Sequence, residues 1–261
     1  MKKKYIDKYF IICLAIITFA FTLNAINYIM KTSILDLDYN SFGFLQYVKE
    51  RDLGDFISIG CVIIISIGAT TQFINELRSG YFKKIIVKEP YNKYINRSIL
   101  KCYIKSLAYV PLASIIIFII GCILYPALLH KDTTGFFSRM IEYKGIYDPK
   151  VAFMFFCLST LLSAVFSFLV VNITLIMNKK TKNLAISVIG TFLIITFMSF
   201  ISNLLIAPIL NLDLNVYYGY YQGSWSNLIS GAVVCFPLCI ATYCIMKKLY
   251  KNKEQAVLDN D

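Results

Sequence analysis

The sequence predicts an all-α membrane protein, a single transmembrane domain over residues 1–261 with six transmembrane helices and a cytoplasmic amphipathic helix between spans two and three. Three observations predict it. Hydrophobic residues make up 58% of the chain and charged residues only 16%, too little polar surface to cover a water-soluble globule of 261 residues. Six segments are long enough to cross a hydrocarbon core about 30 Å thick, which takes roughly 20 apolar residues in helical form. None of the six contains Asp, Glu, Lys, Arg or His.

The first span covers residues 10–29. Its basic start, its apolar run and Leu23-Asn24-Ala25 resemble a cleavable signal peptide, but the run continues to Ile29, the length of a full crossing, and predicts a retained helix. The others cover residues 56–73, 107–129, 151–177, 184–208 and 229–245. An ionisable group at mid-bilayer usually marks an ion or proton path, so six charge-free spans argue against a proton- or sodium-coupled carrier.

Orientation follows from the basic residues flanking the spans. Nineteen of the 26 Lys and Arg residues lie at the two termini, in the connection from span two to span three, and between spans four and five. Only seven lie on the other side. Both termini are therefore expected in the cytoplasm. This partition also accounts for the formal net charge of +11 without nucleic acid, since a basic cytoplasmic rim attracts anionic lipid head groups.

Several chemistries lack their residues. The sequence has no G-x-x-x-x-G-K-[ST] phosphate loop, so the chain is not expected to bind ATP in that way. No nucleophile with a base, no paired carboxylates and no metal-ligating cluster falls within the spans, and no catalytic residue or metal site is assigned. The single histidine, His130, has no second histidine with which to build a zinc site. The eight cysteines lie within or at the ends of the spans, form no C-x-x-C pair, and read as small apolar packing residues.

The most charged stretch, ELRSGYFKKIIVKEPYNKYINRSILKCYIKS, occupies residues 76–106. Ile74, Leu77, Tyr81 and Ile85 recur at helical spacing, widened by Phe82 and Ile86, which predicts an amphipathic helix. Gly80 either closes a helix in a left-handed conformation or lets another chain approach closely. Pro90 separates this helix from the next. Beyond it, Lys93, Arg97, Lys101 and Lys105 recur every four residues, while Tyr91, Tyr94, Ile95 and Cys102 fall towards the other side. Four like charges so placed require anions, from lipid phosphates or from a partner's carboxylates.

The order of elements and the residues Glu76, Ser79, Gly80, Ile85, Ile86, Pro90 and Lys101 resemble the permease subunit of ABC-2-type bacterial transporters, in which an E-x-x-S-G motif opens the connection to span three. Spacing to Pro90 is about one residue longer than the family's common pattern, so the match after Gly80 is a match of type. The resemblance implies that Glu76, Ser79, Gly80, Tyr81 and Ile85 belong to a coupling helix seated on a separate ATPase, present in two copies with its own ATP and Mg. It also implies a second permease subunit, the same or related, and a role in export of, or immunity to, antimicrobial peptides. The Lys-, Ile- and Asn-rich usage is similar to that of a low-GC Gram-positive bacterium.

Residues 206–227 carry YYGYYQGSW without Lys or Arg. Tyr218, Tyr221 and Trp225 serve either as interfacial anchors or as part of an outer cargo path, where the family resemblance implies a re-entrant hairpin. A path lined by apolar and aromatic groups suits an amphipathic or hydrophobic cargo, preferably a peptide, with a lipid or drug as the other options. The alternative from a different class is a membrane sensor or scaffold that binds a partner without transport.

Overall fold

The computed structural model describes residues 7–35, 54–80, 90–124, 149–205 and 225–251, and among them every regular element is helical. The helices are α1 (Lys8–Leu35), α2 (Gly54–Arg78), α3 (Tyr91–Leu124), α4 (Pro149–Thr181), α5 (Leu184–Leu205) and α6 (Trp225–Lys251). One helix stands at each predicted span. Four described stretches are long and apolar enough to cross a membrane: Gly60–Arg78, Tyr91–Ile117, Thr160–Thr181 and Gly231–Tyr250. The described apolar stretches of α1 and α5, Lys8–Leu23 and Leu184–Phe200, are shorter.

Local chemistry sets the boundaries. Asp7 caps α1, its Oδ1 accepting the Phe10 amide at 2.8 Å. Gly80 follows α2 at φ 65°, a left-handed conformation that glycine adopts at little steric cost. Pro90 immediately precedes α3, where its missing amide donor costs no helical bond, and its carbonyl accepts the amides of Lys93 and Tyr94 at 3.0 and 3.1 Å. Only Lys182 and Asn183 separate α4 from α5. Lys182 takes a positive φ of 53°, and Asn183 caps α5 by accepting the Ala185 amide at 2.9 Å.

Two sequence expectations are corrected by α3 and α2. The basic segment after Pro90 is not a helix separate from the predicted third span, because residues 93–105 and the apolar residues that follow form the one continuous helix α3. Likewise Ile74 and Leu77 belong to α2 rather than to a separate amphipathic helix: Ile74 is fully buried and Leu77 packs against the core. Tyr81, Ile85 and Ile86 lie outside the described residues.

Helix α4 is the axis of the bundle, in contact with α2, α3, α5 and α6, while α1 packs against α2 and α3. Of the apolar window in Thr160–Thr181, 72% is buried, against 17% of that in Gly231–Tyr250 on α6. Large side chains fill the interior, among them Ile17, Phe21, Ile65, Tyr109, Ile117 and Phe166.

The exterior is apolar, unlike that of a soluble protein, and uncharged polar groups sit inside among the apolar core. Ser66, Thr70, Ser163, Ser167, Asn172, Thr174, Ser187 and Thr191 are buried, whereas Phe19, Ile123, Ile189, Phe197, Val233 and Ile240 stand exposed. In water such an apolar exterior would cost about 25 cal/mol for each Å². In lipid it costs little, and hydroxyl and amide groups instead bond across the helix interfaces. Composition, helix length and this apolar exterior together point to a membrane protein.

Candidate functional site at the basic end of the bundle

The end of α2 and the start of α3 bring several of the chemistry-bearing residues together. Glu76 is half-buried in the last turn of α2 and uses both carboxylate oxygens: Oε1 accepts from Gln72 Nε2 at 3.0 Å and Oε2 from the Tyr94 hydroxyl at 2.9 Å. The Ser79 hydroxyl donates to the Glu76 carbonyl at 3.3 Å, and its amide donates to the Asn75 carbonyl at 2.9 Å. No described residue lies within 4 Å of where a Gly80 Cβ would stand, and its φ of 65° is the left-handed backbone that glycine adopts at little cost.

Lys105 extends the chain of bonds to α1. It is only 4% exposed, forms an ion pair with Asp7, and donates to Gln72 Oε1 at 2.9 Å. A continuous path therefore runs from Tyr94 through Glu76, Gln72 and Lys105 to the carboxylate that caps α1. Arg78 makes a second connection, its guanidinium donating to the Lys182 carbonyl in the α4–α5 turn. There Thr181 and Ser187 share a hydrogen bond at 3.0 Å, and Asn178 donates to the Ser187 hydroxyl at 3.2 Å.

The basic row resolves into different environments. Lys93 is exposed, Arg97 and Lys101 are half-buried and engaged, and Lys105 is buried. The assignment of Lys105 to an outward basic face is thus corrected, since its anion is internal. The reason is geometric. At 3.6 residues per turn, residues four apart advance by about 40° beyond a full turn, so the row rotates by about 120° from Lys93 to Lys105. Tyr91, Tyr94, Ile95 and Cys102 do face the bundle, and all four are buried.

A second polar cluster joins α3, α4 and α6. Asn172, 1% exposed, accepts from the Tyr103 hydroxyl and donates to Thr242 Oγ1 at 3.0 Å and to the Cys239 carbonyl at 3.2 Å. Deeper between α2, α4 and α5, Thr174 donates to Ser66 at 3.0 Å and Thr191 lies 3.1 Å from Thr174. These contacts hold helices together and contain no charged group. Among the described cysteines, Cys13, Cys61, Cys102 and Cys235 are buried, in keeping with packing roles.

Tyr218 and Tyr221 lie outside the described residues, and Trp225 is the first residue of α6. No group of three or more His, Cys, Asp or Glu side chains that could hold a metal occurs among the described residues. Sequence reasoning singled out Glu76, Ser79, Gly80 and Lys105 but missed Asp7, Gln72, Arg78, Tyr94 and Asn172 as their partners or counterparts. Signals for some were present: Asp7 precedes an apolar run as a cap does, Gln72 and Glu76 are four apart on one helix, and Asn172 interrupts an apolar span.

The arrangement can lock the ends of α1, α2, α3 and the α4–α5 turn into one unit, and the described groups contain no constellation for covalent chemistry. Comparisons with protein-family models, curated protein sequences and solved structures find no match to this chain.

Proposed function

We propose that the chain is the membrane subunit of an ATP-driven exporter of the ABC-2 type, with six spans, both termini cytoplasmic, and energy supplied by a separate ATPase. The observation that carries the reading is the end of α2: Glu76, Arg78, Ser79 and Gly80 close the helix while bonding to α3 and to the α4–α5 turn. A force applied just beyond Gly80 reaches three helices through hydrogen bonds and one ion pair, as a coupling contact requires. The absence of a phosphate loop from the sequence agrees with an ATPase on another chain.

In this reading a second permease subunit completes the cargo cleft, anionic lipids lie against the exposed Lys93, and residues 206–227 border the outer exit. The apolar exterior, and spans that carry no charged residue in the sequence, fit a hydrophobic or amphipathic cargo, a peptide in preference to a lipid or drug. Replacing Gly80 by Val tests the coupling role. A β-branched side chain in the left-handed conformation is strained by about 1–2 kcal/mol, and the strain falls at the proposed contact without touching a span interior. The expected result is normal membrane insertion with ATP turnover uncoupled from transport. Unimpaired transport at wild-type abundance would remove the coupling assignment.

A further inference from the structure

We infer that Lys105 is a positioning residue that makes the start of α1 respond to the end of α2. The inference rests on the coupling reading for its purpose, but the linkage itself belongs to this chain alone. Lys105 sits 4% exposed within the apolar stretch Tyr91–Ile117, where an ammonium is retained only if its charge is compensated. The compensation comes from two other helices. Asp7 supplies the opposite charge from the cap of α1, and Gln72 supplies an amide oxygen from α2.

Gln72 is held in turn. Its oxygen faces Lys105 while its nitrogen donates to Glu76, so the side-chain amide is used at both ends and has one orientation. Glu76 is fixed from the far side by Tyr94, which is 1% exposed. Displacing the last turn of α2 therefore pulls on Gln72, and Gln72 cannot turn without losing either Lys105 or Glu76. Because Lys105 shares its ammonium between Gln72 and Asp7, the disturbance arrives at the carboxylate whose other oxygen caps the Phe10 amide. A simple apolar core would hold the same helices together. It would not give the α1 cap a partner on which α2 also depends.

The test is a double-mutant cycle read by hydrogen exchange on the full chain in detergent micelles. Peptides covering residues 8–14, 72–80, 186–200 and 231–245 are followed in the wild type, Glu76→Ala, Lys105→Met and the double variant. Glu76→Ala is expected to speed exchange in residues 8–14 about threefold, although Glu76 makes no direct bond to Asp7, and Lys105→Met about tenfold. The double variant should match Lys105→Met, since contacting residues in one network are not additive. Asp7→Asn keeps the capping oxygen while removing the ion pair, and should reproduce the Lys105→Met effect. Paired with Glu76→Ala, it runs the same cycle if Lys105→Met does not fold. Independent, additive effects, silence of residues 8–14 towards Glu76→Ala, or equal loosening of residues 186–200 and 231–245 would each overturn the inference. No ATPase is needed, so this outcome is separate from whether Gly80→Val uncouples transport.

Discussion

Replacing Gly68 by Ala should loosen the contact among α1, α2 and α3, and its size follows from the geometry. A Cβ at Gly68 would lie 2.8 Å from Cys13 Cβ and 2.8 Å from Tyr109 Cζ, with the Tyr109 hydroxyl closer still. Neither neighbour yields easily. Cys13 Cβ is fixed to the α1 backbone, and the Tyr109 ring is fully buried with the Phe10 ring 4.9 Å away, centre to centre. Relief requires α1 to move outwards or Tyr109 to leave its position, and overpacking of this kind costs about 1–3 kcal/mol. At about 2 kcal/mol, a chain of this size should lose about 4–8 °C in melting temperature.

Gly190 supplies the control, because a Cβ there would meet first the terminal methyl of Met177, at 2.7 Å, which can swing away. The assay can use the protein's own buried thiols, Cys13, Cys61, Cys102 and Cys235, with a dye that fluoresces when unfolding exposes them. Gly68→Ala should melt clearly below the wild type and Gly190→Ala within about 2 °C of it. Equal melting of the two variants would refute the packing argument.

Two further outcomes follow from other contacts. Asn172→Leu removes the bonds to Tyr103, Thr242 and the Cys239 carbonyl. At about 0.6 kcal/mol for each interhelical bond within a membrane, the loss should be about 2 kcal/mol, measured as reduced resistance to denaturation in mixed micelles. Cysteines placed at Lys180 and at Lys144 should be respectively protected from and reactive towards an impermeant reagent in intact cells, and the opposite pattern would reverse the orientation derived from the basic residues.

What the sequence made legible was the class of structure, because helix length and lack of charge act residue by residue. The helix end at Gly80 was legible too, resting on the ability of a left-handed glycine to close a helix, whereas the Asx caps at Asp7 and Asn183 were missed although their signal is equally local. The fate of Lys105 was less visible. Its four-residue spacing from Lys101 matched the basic row, but the 3.6-residue period turned it inwards, and only the packing of α1 on α3 supplied Asp7. Nor could spacing join Glu76 to Tyr94 or Arg78 to Lys182, since those bonds cross the turns of the bundle and depend on where whole helices lie.

If an ATPase on another polypeptide drives this membrane chain, as proposed, the two should be isolated together. The chain should be isolated in mild detergent from its native membrane at native abundance, and Mg-dependent ATP hydrolysis measured before and after the isolated complex is stripped to the chain alone. The expected result is hydrolysis in the complex, a copurifying ATP-binding subunit, and no hydrolysis by the stripped chain. A chain that emerges without an ATP-binding partner under conditions that preserve other membrane complexes, or that hydrolyses ATP by itself, would contradict it.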